Sequence, residues 1–252
     1  MLEKILENVA MEENLQDNDK AFFMRVWNTD PTIYKSRLKA IGFENLTHVL
    51  DAGSGFGQWA YALALLNKNV TALEYNPFRV AASSKVIQGM EINNCSFLQG
   101  SIDEIRVKDS SFDGIFAYSS ILFTDYRKTL KEFYRILQPN GKLYFNANGL
   151  GWYLYNIIDG HNSTANFSSR QMGVDTIKNS LKFYTNGDLT PGTQILMLRD
   201  IVIKEMISIG YEIIAQGAEG TINLTNGIKI TPFFKSEYYG EDGVFEIVAI
   251  KK

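Results

Sequence analysis

The segment Val49-Leu50-Asp51-Ala52-Gly53-Ser54-Gly55-Phe56-Gly57 constrains this chain more than any other. It follows an apolar run that reads as a strand and opens residues 58–66, whose apolar positions recur at helical spacing. A glycine-rich turn carries meaning only in that strand-to-helix context. Glycines there permit positive φ and let a ligand approach the backbone closely. The following helix offers free N–H groups and the positive end of its dipole. Dinucleotide-binding loops usually space their glycines Gly-x-Gly-x-x-Gly. Here the third glycine comes one residue early, at Gly57, and Gln58 stands where such a loop needs a small residue. Asp51 would repel a pyrophosphate and attract an ammonium. The loop therefore suits a ligand carrying an ammonium and a carboxylate better than one carrying two phosphates. Glu74 ends the next predicted strand, where a carboxylate can accept two hydrogen bonds from a ribose diol. Taken alone, it is equally a solvated strand end.

Apolar runs at 46–51, 69–74, 95–99, 112–118 and 142–146 alternate with helical periodicity at 58–66, 78–90 and 126–137. Strands separated by helices of that length predict βαβ units and a parallel sheet covered on both faces. Ahead of them, residues 1–42 read as a helical cap. Leu2, Ile5, Leu6 and Val9, then Phe22, Phe23, Val26 and Trp27, keep helical spacing; Pro31 interrupts, and the period resumes until Gly42. Residues 43–252 form the main domain. Within it, 148–190 is rich in Asn, Ser, Gly and aromatics and reads as a lid or substrate insertion with a short helix near 174–183. Pro191 suits the first turn of a helix running through 195–209. Strands at 211–215 and 245–251 close the pattern, and Asn226-Gly227 between two short apolar runs predicts a β-hairpin insertion at 221–232.

A chain of 252 residues accommodates one large α/β domain with a cap. Its 25 Lys and Arg against 28 Asp and Glu disfavour a general nucleic-acid binder. The single cysteine, Cys95, forms no internal disulfide and supplies no cysteine-based zinc site, and no metal is expected. No apolar run reaches the ~18 residues of a membrane helix. The acidic start lacks the features of a signal peptide, so a soluble, cytoplasmic protein without membrane attachment is expected.

Four motifs, in order, resemble the class I S-adenosylmethionine-dependent methyltransferases. They are the Asp51–Gly57 loop, Leu73-Glu74-Tyr75-Asn76, Ser111-Phe112-Asp113-Gly114-Ile115-Phe116, and Leu137-Gln138-Pro139-Asn140-Gly141-Lys142-Leu143. The resemblance spans roughly residues 47–145, with weaker agreement in the final helix and two strands. It implies a Rossmann-like seven-stranded, mostly parallel sheet of order 3-2-1-4-5-7-6 with helices on both faces, and S-adenosylmethionine as cofactor with S-adenosylhomocysteine as product. By position, Asp51, Gly53, Ser54, Gly55 and Gly57 would hold the methionine portion and Glu74 the ribose hydroxyls. Tyr75 would pack beside the adenine, and Tyr118 would lie near the sulfonium. The family often has Asp after the third strand for the adenine amino group. Ser101 stands there in this chain, so the contact would come from its hydroxyl or from Asp103, with the Ile102 backbone also serving adenine.

Methyl transfer is an in-line displacement, and a base is needed only when the acceptor holds a proton at neutral pH. His161, in the insertion, is the candidate catalytic base, and an exposed loop histidine is the plainer alternative. His48 reads as structural. Tyr34, Trp152, Tyr155 and Arg170 are the substrate candidates. Aromatic faces interleaved with amides suit O- or N-methylation of a small polar, sugar-like molecule. Alternatives are a cofactor-binding regulatory or scaffold protein without turnover, a methyltransferase acting on protein or RNA, and a nicotinamide-dependent oxidoreductase, against which Gln58 argues. The acceptor, the methylated atom and the oligomeric state are left open.

Overall fold

The computed structural model describes residues 2–15, 17–225 and 227–252. Three helices lead: α1 (Leu2–Glu12), α2 (Asp17–Asn28) and α3 (Pro31–Ala40). Pro31 opens α3 rather than breaking a helix. Proline is preset for the first turn, and the Asp30 carboxylate caps it by accepting from Thr32 N at 2.8 Å. Then come β1 (His48–Ala52), α4 (Gln58–Ala64), β2 (Asn69–Glu74), α5 (Pro77–Gly89), β3 (Cys95–Gln99), β4 (Phe112–Tyr118), α6 (Tyr126–Ile136) and β5 (Leu137–Asn148). After β5 lie α7 (Leu150–Asp159), α8 (Ser169–Asn186), α9 (Arg199–Ile209), β6 (Tyr211–Ala218), β7 (Glu237–Tyr238), β8 (Glu241–Asp242) and β9 (Val244–Lys251).

Seven strands form one sheet in the order β3-β2-β1-β4-β5-β9-β6. This is the expected order 3-2-1-4-5-7-6, because β7 and β8 pair only with each other and β9 takes the seventh place. β1 runs parallel to both β2 and β4, whereas β9 runs antiparallel to β5 and β6. The chain leaves β1 toward β2 and β3, then returns to place β4 on the other side of β1. The carboxyl ends of β1 and β4 therefore flank the switch point, where open α/β sheets bind ligands. One core packs α6, α9 and Phe183 of α8 on one face of the sheet. The other packs α1 to α5 on the opposite face through Phe23, Trp27, Phe56, Trp59 and Val86.

The second half departs from its sequence reading in three places. The insertion is two antiparallel-packed helices rather than a loop with one short helix. The buried positions of α8 are Ser169, Gly173, Thr176, Asn179, Ser180 and Phe183, and the small residues at its start let it lie against α7. A Cβ at Gly173 would come within 2.7 Å of Ile157. Apolar periodicity cannot register a face in which Phe183 is the one large apolar residue among hydroxyls, an amide and glycine. Helix α9 starts at Arg199, not near Pro191, because Ile195 and Met197 instead enter the core in extended chain, with Ile195 N donating to Leu122 O at 2.8 Å. Finally, the described residues of 221–232 contain no strand, and Asn226 lies outside the described residues. That segment is drawn onto the cap, with Leu224 N donating to Ala40 O at 2.7 Å. The small ribbon forms later, as β7 and β8.

Candidate cofactor and acceptor site

The glycine loop is anchored to β2 by two amides, since Gly53 N and Ser54 N both donate to Leu73 O at 2.8 and 2.9 Å. Its glycines do different work. Gly53, at φ +79°, passes so close to Ser120 that a Cβ would collide with that side chain. Gly57, at φ +85°, starts α4 from the left-handed region, and its Cβ would lie 2.8 Å from Ser83. Gly55, at φ +57°, faces open space with nothing within 4 Å of a Cβ. The open position is the one through which a ligand can approach the backbone. On the β4 side, Ser120 Oγ donates to Ala52 O at 2.6 Å and fastens the two strand ends together.

Asp51 is buried, and that burial pushes its carboxyl up to about 8, with the Glu74 charge acting in the same direction and the Ala60 amide opposing both. Its Oδ2 has no hydrogen-bond partner, and neither do the buried Ser54 Oγ and Gln58 Oε1. Buried polar atoms are ordinarily satisfied, and three unsatisfied ones around one loop mark a place where ligand groups fit. Glu74 lies just across. One of its oxygens accepts from Gly55 N and the other from Asn76 N, each at 2.9 Å, which leaves lone pairs for a diol. Tyr75, the next residue, is 76% exposed and offers a free ring face. Further along this edge, the Ser101 hydroxyl is held by Asp103, which also sits 3.6 Å from Lys128. Ile102 is packed into the core, so only its backbone can face a ligand.

Other sequence-based expectations fare differently. The Tyr118 hydroxyl donates to Glu219 at 2.6 Å inside the protein, and burial together with Glu219 pushes its ionisation well above the ordinary tyrosine range. Tyr34, expected to face the acceptor, is buried with its ring edge-on to Trp59, and its hydroxyl donates to Val26 O at 3.0 Å. Arg170 ties down the end of α7 by donating to the carbonyls of Ile157 and Ile158 at 2.5 and 2.6 Å. Trp152 and Tyr155 belong to a ring cluster on α7. Tyr238 stacks on Tyr155 at 4.3 Å and His161 stacks on the same ring at 4.4 Å. His161 is exposed, with its ring against Tyr155 and Trp152. Asp125 caps α6, accepting from Arg127 N at 3.0 Å. His48 pairs with Thr71 Oγ1 at 2.9 Å on the sheet, as a structural residue does.

The sequence reading missed Ser120, Gln58 and Asn146 as parts of this edge. Asn146 is buried in β5 and its Oδ1 accepts from Ser119 N at 2.6 Å, while its Nδ2 has no partner. Ser119 is itself held at φ +52°, an unusual conformation for a residue other than glycine. A pair of serines directly after a buried strand was the only signal available. Nothing marked Asn146, since its role depends on β5 lying beside β4.

Residues 50–145 match the methyltransferase domain family. The demethylmenaquinone methyltransferase of Listeria welshimeri is 25% identical over 149 residues, covering 56% of this chain and 59% of that protein. The chain thus spans less than two thirds of that relative's length. A putative sarcosine dimethylglycine methyltransferase from Galdieria sulphuraria superposes with a TM-score of 0.60 at 14% identity, over 88% of this chain and 84% of the other. A 4+2 cyclase superposes with a TM-score of 0.58 at 16% identity, over 88% of this chain and 81% of the other. At those identities the superpositions establish the fold. With the strand order they give a Rossmann-like seven-stranded sheet, and residues 50–145 of it match the methyltransferase domain family.

Proposed function

We propose that the protein transfers a methyl group from S-adenosylmethionine to an oxygen or nitrogen atom of a small polar molecule. The observation that carries the donor half is the glycine loop with Asp51 Oδ2, Ser54 Oγ and Gln58 Oε1 buried and unpartnered around an open Gly55. Bound there, the cofactor would supply an activated methyl on a sulfonium. Asp51 would ionise against the ammonium, the loop amides would receive the methionine portion, and Glu74 would accept from the ribose hydroxyls while keeping its two backbone donors. Tyr75 offers its exposed ring to the adenine. The protein's part in the chemistry is then alignment and the exclusion of water rather than proton transfer.

The acceptor half rests on Ser119, Ser120 and Asn146 at the strand ends and on Trp152 at the start of α7. Short polar groups with an aromatic ring from α7 are a set that suits hydroxylated or amino acceptors. We further propose that the cap of residues 1–42 and the insertion of residues 148–190 close this side. No described helix is long and apolar enough to cross a membrane.

Calorimetric titration with S-adenosylmethionine and S-adenosylhomocysteine, with NAD as control, tests the donor half. Micromolar binding of the first two and none of NAD is expected, and preference for NAD would sink the reading. Methyl-labelled cofactor offered with a panel of hydroxylated and amino metabolites tests the acceptor half. Tight binding with no label moved would favour a cofactor-binding protein without turnover, and label moved only to protein or RNA would change the acceptor class.

A further inference from the structure

Away from the glycine loop, the densest set of buried charges lies across β4. Arg37 of α3 is buried, ion-paired through Nη1 to Glu219, with Nη2 3.6 Å from Glu246. Its guanidinium lies over the rings of Phe233, Tyr118 and Trp59, at 4.7, 5.5 and 5.7 Å from their centroids. Both carboxylates hold backbone as well. Glu219, just beyond β6, accepts from Phe233 N at 2.9 Å, and Glu246 of β9 accepts from Thr221 N and Ile222 N at 3.0 and 2.8 Å. The Tyr118 and Tyr144 hydroxyls donate to the same two carboxylates, at 2.6 and 2.9 Å. Without the guanidinium, two buried carboxylates would face each other in a medium of low dielectric constant.

Arg37 belongs to the cap, and the cap also touches the loop. Phe22 and Phe23 of α2 pack on Phe56 at 5.8 and 5.2 Å, and Trp27 Nε1 donates to Phe56 O at 2.9 Å. One short stretch of chain therefore contacts both the glycine loop and the segment between β6 and β9. Phe233 is 38% exposed, so the ring pinned by Arg37 still presents a face outward.

We propose that Arg37 is a positioning residue that holds Phe233 and the backbone of residues 219–222 against Tyr118, and so completes the acceptor wall; this rests on the methyl-transfer reading. Arg37 acts through Glu219, Glu246 and Phe233 rather than by touching the donor or the acceptor. The amides of Ile222 and Phe233 report on it directly, because they donate to the two carboxylates that Arg37 neutralises, whereas Thr221 N also donates to Ala218 O at 3.1 Å.

Hydrogen exchange on the full chain, with calorimetry of S-adenosylhomocysteine, tests the assignment. In Arg37→Met the Ile222 and Phe233 amides should exchange faster by on the order of tenfold or more, while exchange in the glycine loop stays unchanged. Affinity for S-adenosylhomocysteine should stay within about threefold. Arg37→Lys should recover part of the protection, since an ammonium can neutralise one carboxylate but cannot bridge both and lie flat on the rings. Unaltered exchange at the Ile222 and Phe233 amides in Arg37→Met would overturn the proposal. So would equal acceleration across β1 to β5, which would make Arg37 a general structural residue. Should Arg37→Met fail to fold, Glu219→Gln preserves shape and is read at Phe233, where selective acceleration supports the proposal and none overturns it. If the unsubstituted protein does not bind S-adenosylhomocysteine, the methyl-donor reading falls, while the exchange result still decides whether Arg37 holds the segment.

Discussion

The glycine loop and the Arg37 cluster across β4 handle buried polarity differently. Around the glycine loop, Asp51, Ser54 and Gln58 bury polar atoms and leave them unpaired. Across β4, Arg37, Glu219 and Glu246 are buried as deeply, but they are joined to one another and to Tyr118 and Tyr144. An unpaired buried group costs stability that a ligand can restore, whereas a paired cluster stabilises one arrangement of chain by itself. The first pattern suits the proposed binding site, the second a frame around it.

The largest expected effect breaks the comparison at its hinge. Gly53→Ala forces a Cβ into Ser120 at φ +79° and should lower stability by about 3 kcal/mol. Gly55→Ala meets nothing within 4 Å and should lose only ~1 kcal/mol from its φ. Urea unfolding of the two variants decides this, and equal losses would refute the distinction between a packed and an open glycine. Gly55→Val should stay folded yet abolish cofactor binding; retained binding would detach the open space from the site.

Asp51→Asn comes next. The ligand-free carboxyl, pushed up to about 8 by burial, is mostly protonated at neutral pH, so an amide of the same shape should leave the fold nearly unchanged. Cofactor affinity should fall by ~1.5–3 kcal/mol, the worth of a hydrogen bond to a charged group. The sign of the pH dependence follows from the same shift. A carboxyl whose folded value is raised favours the folded state fully below its unfolded value of 3.8, and that contribution is lost as pH rises through about 8. A cationic ligand needs the ionised form, so affinity should increase between roughly pH 6 and 8, with proton release on binding. Calorimetry in buffers of different ionisation enthalpy measures that proton. A pH-independent affinity would remove Asp51 from contact with the cation.

Glu74→Ala should weaken cofactor binding by ~1–3 kcal/mol and also reduce stability by ~1–2 kcal/mol, because the Gly55 and Asn76 amides lose their acceptor. Glu74→Gln should recover some stability but less binding, and unchanged affinity in both variants would take Glu74 out of the site. The smallest effect is His161→Ala. The exposed ring stacks only at the edge of the α7 cluster, so stability should change by less than about 0.5 kcal/mol and cofactor affinity not at all. A large fall in methyl transfer would return His161 to the role of base.

The same contrast explains what could be read in advance. The glycine-loop side is built from consecutive residues. A buried strand, three glycines, a helix and an acidic strand end follow one another in sequence, and each obeys a local rule of conformation or capping. The Arg37 cluster is assembled from α3, β4, β5, β6 and β9, and no local rule foretells that Arg37 meets Glu219 and Glu246. Tyr34 and Arg170 looked like free functional groups only because the carbonyls of Val26, Ile157 and Ile158 that occupy them are supplied by the folded chain.

By itself, then, the sequence determined the alternation of strands and helices and the loop after β1, because these depend on periodicity and on the conformational freedom of glycine; the order of the sheet was implied only by the family resemblance. Tertiary structure alone decided that α7 and α8 are helices against each other, that residues 221–232 lean on the cap instead of forming a hairpin, and which buried polar atoms stay unpaired. Those outcomes depend on how surfaces distant in the chain fit, and hydrogen bonds are counted as satisfied or unsatisfied only after that fit is made.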